Sequence, residues 1–429
     1  MKTSKSYGLV SIVLIVLLCL SSFTSAGYVT EENIDYVPDQ IVVLINQNTL
    51  GDREIEQLLT SQEIEKIEKL HDYDLVTSER NHGKRLFILH FSEGKSEQII
   101  DLLLENPLVE MADFNYIGYV NMVPDDPYYS EQWALPKMNV PNAYDIELGK
   151  RSVVIASIDS GADLDHEDYA SKILPGYDAV DDDLVPEDEH GHGTRMIGLT
   201  AANTNNGIGI AGMCTKCRLL PIRVADGEGG IYTSDVYKAL EYAVGNPNNI
   251  EGIPDNPHIA DVISMSFGFS YPSSYLTNGV NDAYAEGAVL VAAAGNDGDN
   301  DEEYPAAYSN VIAVAATNQD DERPSWSNYG DWVDVAAPGS QIRTTSRNNL
   351  YAISSGTSPA TAIVAGLVGL IESRAIKTDI DQEDVREILI ETSSPVTGFP
   401  EIVGGRLDAH KALIQTPCWK PNLGLTYDA

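Results

Sequence analysis

The chain has 429 residues, with 65 Asp or Glu against 27 Lys or Arg, for a formal charge of −38. That balance excludes nucleic acid as a natural partner, because a polyanion is repelled by such a surface. From residue 121 onward the count is 46 acidic and 18 basic side chains, so this part alone carries −28, an excess that fits solubility or adaptation to a salty medium.

Residues 1–26 read as a secretory signal peptide: Lys2 and Lys5 precede an apolar run over 9–20, and Thr24-Ser25-Ala26 offers small residues for cleavage. The apolar run is short for a membrane span, and no longer one follows, so the protein is expected to be secreted without stable membrane insertion. Cys19 is a poor lipoprotein site, since Leu17 and Leu18 precede it where small residues belong. Residues 28–120 form a separate unit. A strand is predicted at 40–45 and a helix over 53–70, where Ile55, Leu58, Leu59, Ile64 and Ile67 are apolar. A strand at 85–91, a helix at 97–104 and a strand at 109–120 complete a small ferredoxin-like α/β module. From 123 to 415, apolar runs at 153–158, 219–224, 262–265, 289–294 and 311–316 alternate with helical stretches. They predict an α/β fold, a doubly wound parallel sheet with helices on both faces. Residues 416–429 are a short C-terminal tail.

Three segments of the larger unit carry chemistry. The run Val153-Val154-Ile155-Ala156-Ser157-Ile158 ends on Asp159-Ser160-Gly161, an acid at the carboxyl end of a buried strand. His190-Gly191-His192-Gly193-Thr194 puts a histidine on a glycine-bounded turn leading into a helix. Gly356-Thr357-Ser358-Pro359-Ala360 puts a serine at the start of a small-residue helix, where unpaired N–H groups favour negative charge. An acid, a histidine and a serine meet the needs of acyl transfer: serine attacks, histidine takes its proton, and the acid fixes the tautomer. Their order, Asp then His then Ser, is that of the subtilisin-type triad.

On these motifs the chain resembles the subtilisin-like serine proteases over roughly 123–415. The resemblance implies that Asp159, His192 and Ser358 are catalytic, with His190 a neighbour. It extends to Ala292-Ala293-Ala294-Gly295-Asn296, which implies Asn296 as the oxyanion donor, and to Trp326-Ser327-Asn328-Tyr329-Gly330 and Ala337-Pro338-Gly339. It implies substrate-binding roles for Ser266, Phe267, Gly268, Ala293, Gly295 and Glu303. In the family the residue before Tyr304-Pro305 lies at the floor of the primary specificity pocket. A carboxylate there, Glu303, implies preference for Lys or Arg before the scissile bond.

The family's calcium loop is matched by Asn203-Thr204-Asn205-Asn206-Gly207-Ile208-Gly209-Ile210. The resemblance implies a structural Ca²⁺ held by side chains of Asp126, Asp168 and Asn206 and by carbonyls of Asn203, Ile208 and Ile210. The 28–120 unit resembles the subtilase propeptide, which implies a zymogen with an intramolecular chaperone and inhibitor, removed by self-cleavage near 116–124. A monomer acting on protein or peptide substrates is expected.

The chain departs from the family after the serine, where Pro359 replaces the usual Met. Proline suits the first helical position, where its missing N–H is not needed. Ala362 and Ile363 replace a later Pro and His. A second reading is a catalytically inactive binding protein of the same fold. After signal removal three cysteines remain. Cys214-Thr215-Lys216-Cys217 suits redox chemistry, zinc or a local disulfide; no further zinc ligands lie nearby, and export favours the disulfide. Cys418 is the odd one out, either free or paired outside this chain.

Overall fold

The computed structural model describes residues 36–46, 64–72, 84–91, 96–116, 122–246, 252–375, 380–399 and 401–417. The signal segment, residues 53–63, residues 117–121 and Cys418 with the rest of the tail lie outside the described residues. Two compact units divide the chain, Met1–Tyr119 and Val120–Ala429.

The first unit contains β1 (Tyr36–Asn46), β2 (Ile64–Asp72), β3 (Lys84–Phe91), α1 (Ser96–Leu104) and β4 (Val109–Tyr116). The strands form one antiparallel sheet in the order β2-β3-β1-β4, the ferredoxin-like arrangement. In β1 the period of two is plain. Ile41, Val43 and Ile45 are fully buried and pack with Ile99 of α1. The helix expected over 53–70 is corrected over its last residues, since Ile64–Asp72 is a strand paired antiparallel with β3; its earlier part, 53–63, lies outside the described residues. Ile64 and Ile67 satisfy helical spacing, but over so short a stretch periodicity is ambiguous. The open edge of β3 supplies the backbone partners that decide it.

The second unit is built on a seven-stranded, all-parallel sheet, with β5 (Val154–Asp159), β6 (Tyr177–Asp178), β7 (Arg218–Arg223), β8 (Val262–Met265), β9 (Val289–Ala293), β10 (Val311–Thr317) and β11 (Val335–Pro338). Their order is β11-β10-β9-β8-β5-β7-β6. Every residue of β5, β8 and β9 is buried, and alternate side chains enter two separate cores. Ile155, Val289 and Val291 face one; Val154, Ala156, Ile158 and Leu290 face the other.

The first core is covered by α2 (Ala134–Lys137), α3 (Val140–Ile146), α4 (His192–Ala201), α7 (Thr357–Ala375) and α9 (Ala409–Gln415). The second is covered by α5 (Thr233–Ala243) and α6 (Ser274–Ala285). The sheet is thus doubly wound, as predicted. Helix α8 (Gln382–Glu391) is capped by Asp381, which accepts from Glu383 N and Asp384 N. A two-stranded antiparallel ribbon, β12 (Ile342–Ser346) with β13 (Leu350–Ser354), leads into α7.

Helix α7 is apolar almost all round, as a helix enclosed by other elements must be. Of its residues only Ser358, Glu372 and Arg374 escape full burial. Pro359 is its third residue, two places later than expected, still within the first turn whose N–H groups have no intrahelical partner. Cys214 and Cys217 are disulfide-bonded and wholly buried. They rest against Gly149 and Gly369, where an added Cβ would come within 2.4 and 3.2 Å of a sulfur.

Candidate active site

Strand β5 pairs with β7 on one side and β8 on the other, so connections diverge from its carboxyl end. Asp159 sits at that end, 4% exposed, where an open α/β sheet forms its crevice. His192 is the first residue of α4, entered through Gly191 at φ +94°. The helix approaches the loop after β5 because Gly193 has no side chain: an added Cβ would lie 2.0 Å from the Gly161 carbonyl oxygen.

His192 Nδ1 lies 2.8 Å from Asp159 Oδ1. An ionised carboxylate only accepts, so Nδ1 carries the proton and Nε2 is the free base. Burial opposes the imidazolium, but Asp159 and, more weakly, Asp188 outweigh it, and the His192 pKa lies above the ordinary value.

Ser358 is the second residue of α7, preceded by Gly356 at φ +148°. Its Oγ donates to the Ser266 carbonyl at 3.2 Å, and Ser266 Oγ donates to the Ser358 carbonyl at 3.2 Å. Among the described residues no hydrogen bond joins Ser358 to His192; substrate-free sites often hold such contacts loose. Asn296 Oδ1 accepts from Thr357 N at 2.8 Å. That bond assigns the amide and leaves Nδ2 as a donor beside the serine turn. Asn328, in the Trp326–Gly330 motif, holds the loop that carries Asn296, accepting from Asp297 N and Gly298 N at 2.9 Å.

The expected pocket residues also converge. Ala293 ends β9, Gly295 follows at φ +103°, and Ser266, Phe267 and Gly268 leave the carboxyl end of β8. Glu303 lies between them: an added Cβ would come within 2.5 Å of its Oε2 from Gly268 and 3.0 Å of its Cγ from Gly295. Phe269 and Tyr304 exchange backbone hydrogen bonds at 2.7 and 2.9 Å, tying the two walls. Burial, then the charges of Asp297 and Asp299, push the Glu303 pKa up.

The expected calcium residues gather in a second place. Asp126 and Asp168 are 4% and 0% exposed, and Asp126 Oδ1 has no hydrogen-bond partner. Asp168 Oδ2 accepts from Ile210 N at 2.9 Å, Asp168 Oδ1 from Asn206 Nδ2 at 3.2 Å, and the Asp168 carbonyl from Asn203 N at 2.7 Å. Ile208 N donates to Asn206 Oδ1 at 2.9 Å. Gly209 is required, because a Cβ there would lie 2.2 Å from Asp168 Oδ2. Burial pushes Asp168 up to about 6, against the hydrogen bonds from Ile210 N and Asn206 Nδ2 and, more weakly, the charge of Lys172. Among the described residues no three His, Cys, Asp or Glu side chains form a metal cluster; the two carboxylates are oxygen donors of the kind that suits Ca²⁺.

Two further residues hold this region together, Asn328 and Asp188. Asn328 lies inside a matched segment but has no chemical signature of its own. Asp188 shows only as an acid shortly before a helix start, an ordinary capping pattern.

Comparisons with known proteins agree with this geometry. Residues 150–407 match the subtilase family, peptidase S8. The chain is 39% identical over 322 residues to the thermophilic serine proteinase of Bacillus sp. (strain AK1), covering 75% of this chain and 76% of that one. It is 40% identical over 292 residues to thermitase of Thermoactinomyces vulgaris, covering 68% of this chain and 99% of that one. A solved structure, described as proteases from Pseudoalteromonas arctica PAMC 21717, superposes with a TM-score of 0.64 at 31% identity over 69% of this chain and 100% of that one. With a doubly wound sheet, an acid–histidine pair at its carboxyl edge and a serine at a helix N-terminus, the chain belongs to the subtilase family and is a serine endopeptidase.

Proposed function

We propose that the protein is a secreted endopeptidase, made as a zymogen, that hydrolyses peptide bonds through Asp159, His192 and Ser358. The observation that carries this is the 2.8 Å bond from His192 Nδ1 to Asp159, which leaves Nε2 free. Ser358 Oγ turns from the Ser266 carbonyl to His192 Nε2, loses its proton there and attacks the substrate carbonyl carbon. The oxyanion accepts from Asn296 Nδ2 and from the Ser358 N–H. Collapse of the intermediate expels the amine, which takes the proton from His192. Water activated by the same nitrogen then hydrolyses the acyl-enzyme. Pro359 does not interfere, since the Ser358 N–H remains.

Residues 1–26 direct export and 28–120 act as the inhibitory propeptide, a reading supported by the signal pattern and the ferredoxin-like sheet. Glu303 selects Lys or Arg before the scissile bond, supported by its place between Gly268 and Gly295. A structural Ca²⁺ binds Asp126, Asp168 and Asn206 with carbonyls of Asn203, Ile208 and Ile210. The orphaned, buried Asp126 Oδ1 supports it. The Asn206 amide would turn its oxygen inward in place of Nδ2. The metal supplies charge neutralisation and loop rigidity, not chemistry at Ser358.

A serine-directed fluorophosphonate tests the proposal. Labelling is expected in the processed protein and absent in Ser358→Ala, with peptide hydrolysis lost in parallel. Labelling that persists in Ser358→Ala would assign the nucleophile elsewhere.

A further inference from the structure

One buried carboxylate stands outside the triad yet bonds to the segments that carry two of its members. Asp188 is 0% exposed. Its Oδ1 accepts from Ser160 Oγ at 2.8 Å, His190 N at 3.0 Å and Gly191 N at 2.6 Å. Its Oδ2 accepts from Thr194 N at 2.9 Å and Thr194 Oγ1 at 2.6 Å. Ser160 follows Asp159 directly and accepts from Gly193 N at 2.8 Å. No Lys or Arg pairs with Asp188 among the described residues; its charge is held by five donors and the positive end of α4. Burial opposes that charge, but these donors outweigh it and hold the carboxyl below its usual pKa.

The contacts close a loop from Asp159 through Ser160, Asp188 and the start of α4 back to His192. Besides Asp188, the Asp159–His192 hydrogen bond, the Ser160–Gly193 contact and the bond from Asp163 N to Thr194 Oγ1 at 3.0 Å join the end of β5 and its loop to the start of α4 among the described residues. A capping role alone explains the Thr194 contacts. It does not explain the bond to Ser160 Oγ, which reaches 28 residues back to the other motif.

We propose that Asp188 is a positioning residue for catalysis, clamping the end of β5 to the start of α4 so that His192 stays aligned with Asp159. The proposal rests on the triad assignment above. Its charge also reaches the imidazole. The groups facing His192 are Asp159 at the end of β5, Asp188 in the preceding loop, and Arg195 on α4 itself. His190 lies with its ring 6.4 Å away, and Arg347, after β12, has its side chain against Gly191. Of these, Asp159 and Asp188 favour the imidazolium and Arg195 opposes it.

The test uses the full chain after processing, with active sites counted by fluorophosphonate. Asp188→Asn keeps the shape and removes the charge. It is expected to lower kcat by about 10- to 100-fold with KM within about twofold, as misplacement of a catalytic group does. The acid limb of kcat/KM should move to lower pH, because one charge stabilising the imidazolium is gone. Ser160→Ala cuts the link but keeps the charge. It should lower kcat several-fold and leave the acid limb in place. Ser160→Ala also cuts the Gly193 contact; should Asp188→Asn fail to fold, an unchanged kcat in Ser160→Ala by itself overturns the proposal. Unchanged kcat per titrated site in the folded variants would overturn the proposal, as would a loss of thermal stability alone. His192→Ala separates the two readings. If it is inactive while Asp188→Asn is normal, only this inference falls; if it stays active, the triad assignment falls.

Discussion

Glu303 shows what one side chain adds to a common site. Its carboxylate stands where two glycines leave room, Gly268 and Gly295, partly dried and crowded by Asp297 and Asp299. In the proposed specificity, a substrate cation would relieve that crowding through a charge-assisted hydrogen bond. A peptide library is therefore expected to show cleavage after Lys and Arg. Glu303→Gly should shift preference toward apolar residues by about tenfold or more, a charge-assisted bond being worth roughly 1.5–3 kcal/mol. The sign with pH follows from the raised pKa. Above it Glu303 is charged and the preference holds; as pH falls through it the preference for Lys and Arg over apolar residues weakens. Equal or better cleavage after Phe or Leu in the unaltered protein, at a pH where Glu303 is charged, would reject the assignment.

Among the elements, α4 is held by the absence of side chains as much as by their presence. Gly193 lets the helix meet the Gly161 carbonyl, and Gly198 lets it meet Thr345, whose Oγ1 donates to the Thr194 carbonyl at 2.6 Å. Gly193→Ala is expected to push α4 off β5. Active-site labelling and kcat should fall by about 100-fold or more, since a shift near 1 Å at a catalytic group has that effect, while stability falls by about 1–3 kcal/mol from overpacking. Labelling kinetics and thermal melting check both. Helix α7 was legible in the sequence from its run of small residues. Strand β2 was not, because a short, alternately charged segment reads equally as helix or strand until a neighbouring edge is available to pair with it.

At the scale of the whole molecule, acidity bears on the proposed metal site. Asp126 and Asp168 are buried without ion-pair partners among the described residues, within a catalytic unit whose sequence carries −28. A Ca²⁺ that binds only the folded state stabilises it by mass action, about 2.7 kcal/mol at a hundredfold excess over Kd. Chelation is expected to lower Tm by roughly 5–10 °C, and Asp126→Asn should lower Tm and abolish the response to added Ca²⁺. A melting temperature indifferent to chelator would remove the site.

The architecture and the triad candidates were legible because they rest on local chemistry. Buried parallel strands are continuous apolar runs, and the motifs surround each reactive residue with the glycines its backbone needs. The roles of Asp188 and Asn328 were not legible. Each is a single polar residue in a loop, with a meaning set by partners far along the chain: Ser160 for Asp188, Gly295 to Gly298 for Asn328. Composition and apolar runs predicted an acidic α/β fold, and the motifs, through their resemblance to subtilases, implied a protease with candidates for acid, base and nucleophile in order. Folding alone brought Asp159 within 2.8 Å of His192, turned the Ser358 hydroxyl to Ser266 and gave Asp188 its five donors. Hydrogen-bond geometry between distant segments depends on how the sheet and helices pack, which no short stretch of the chain encodes.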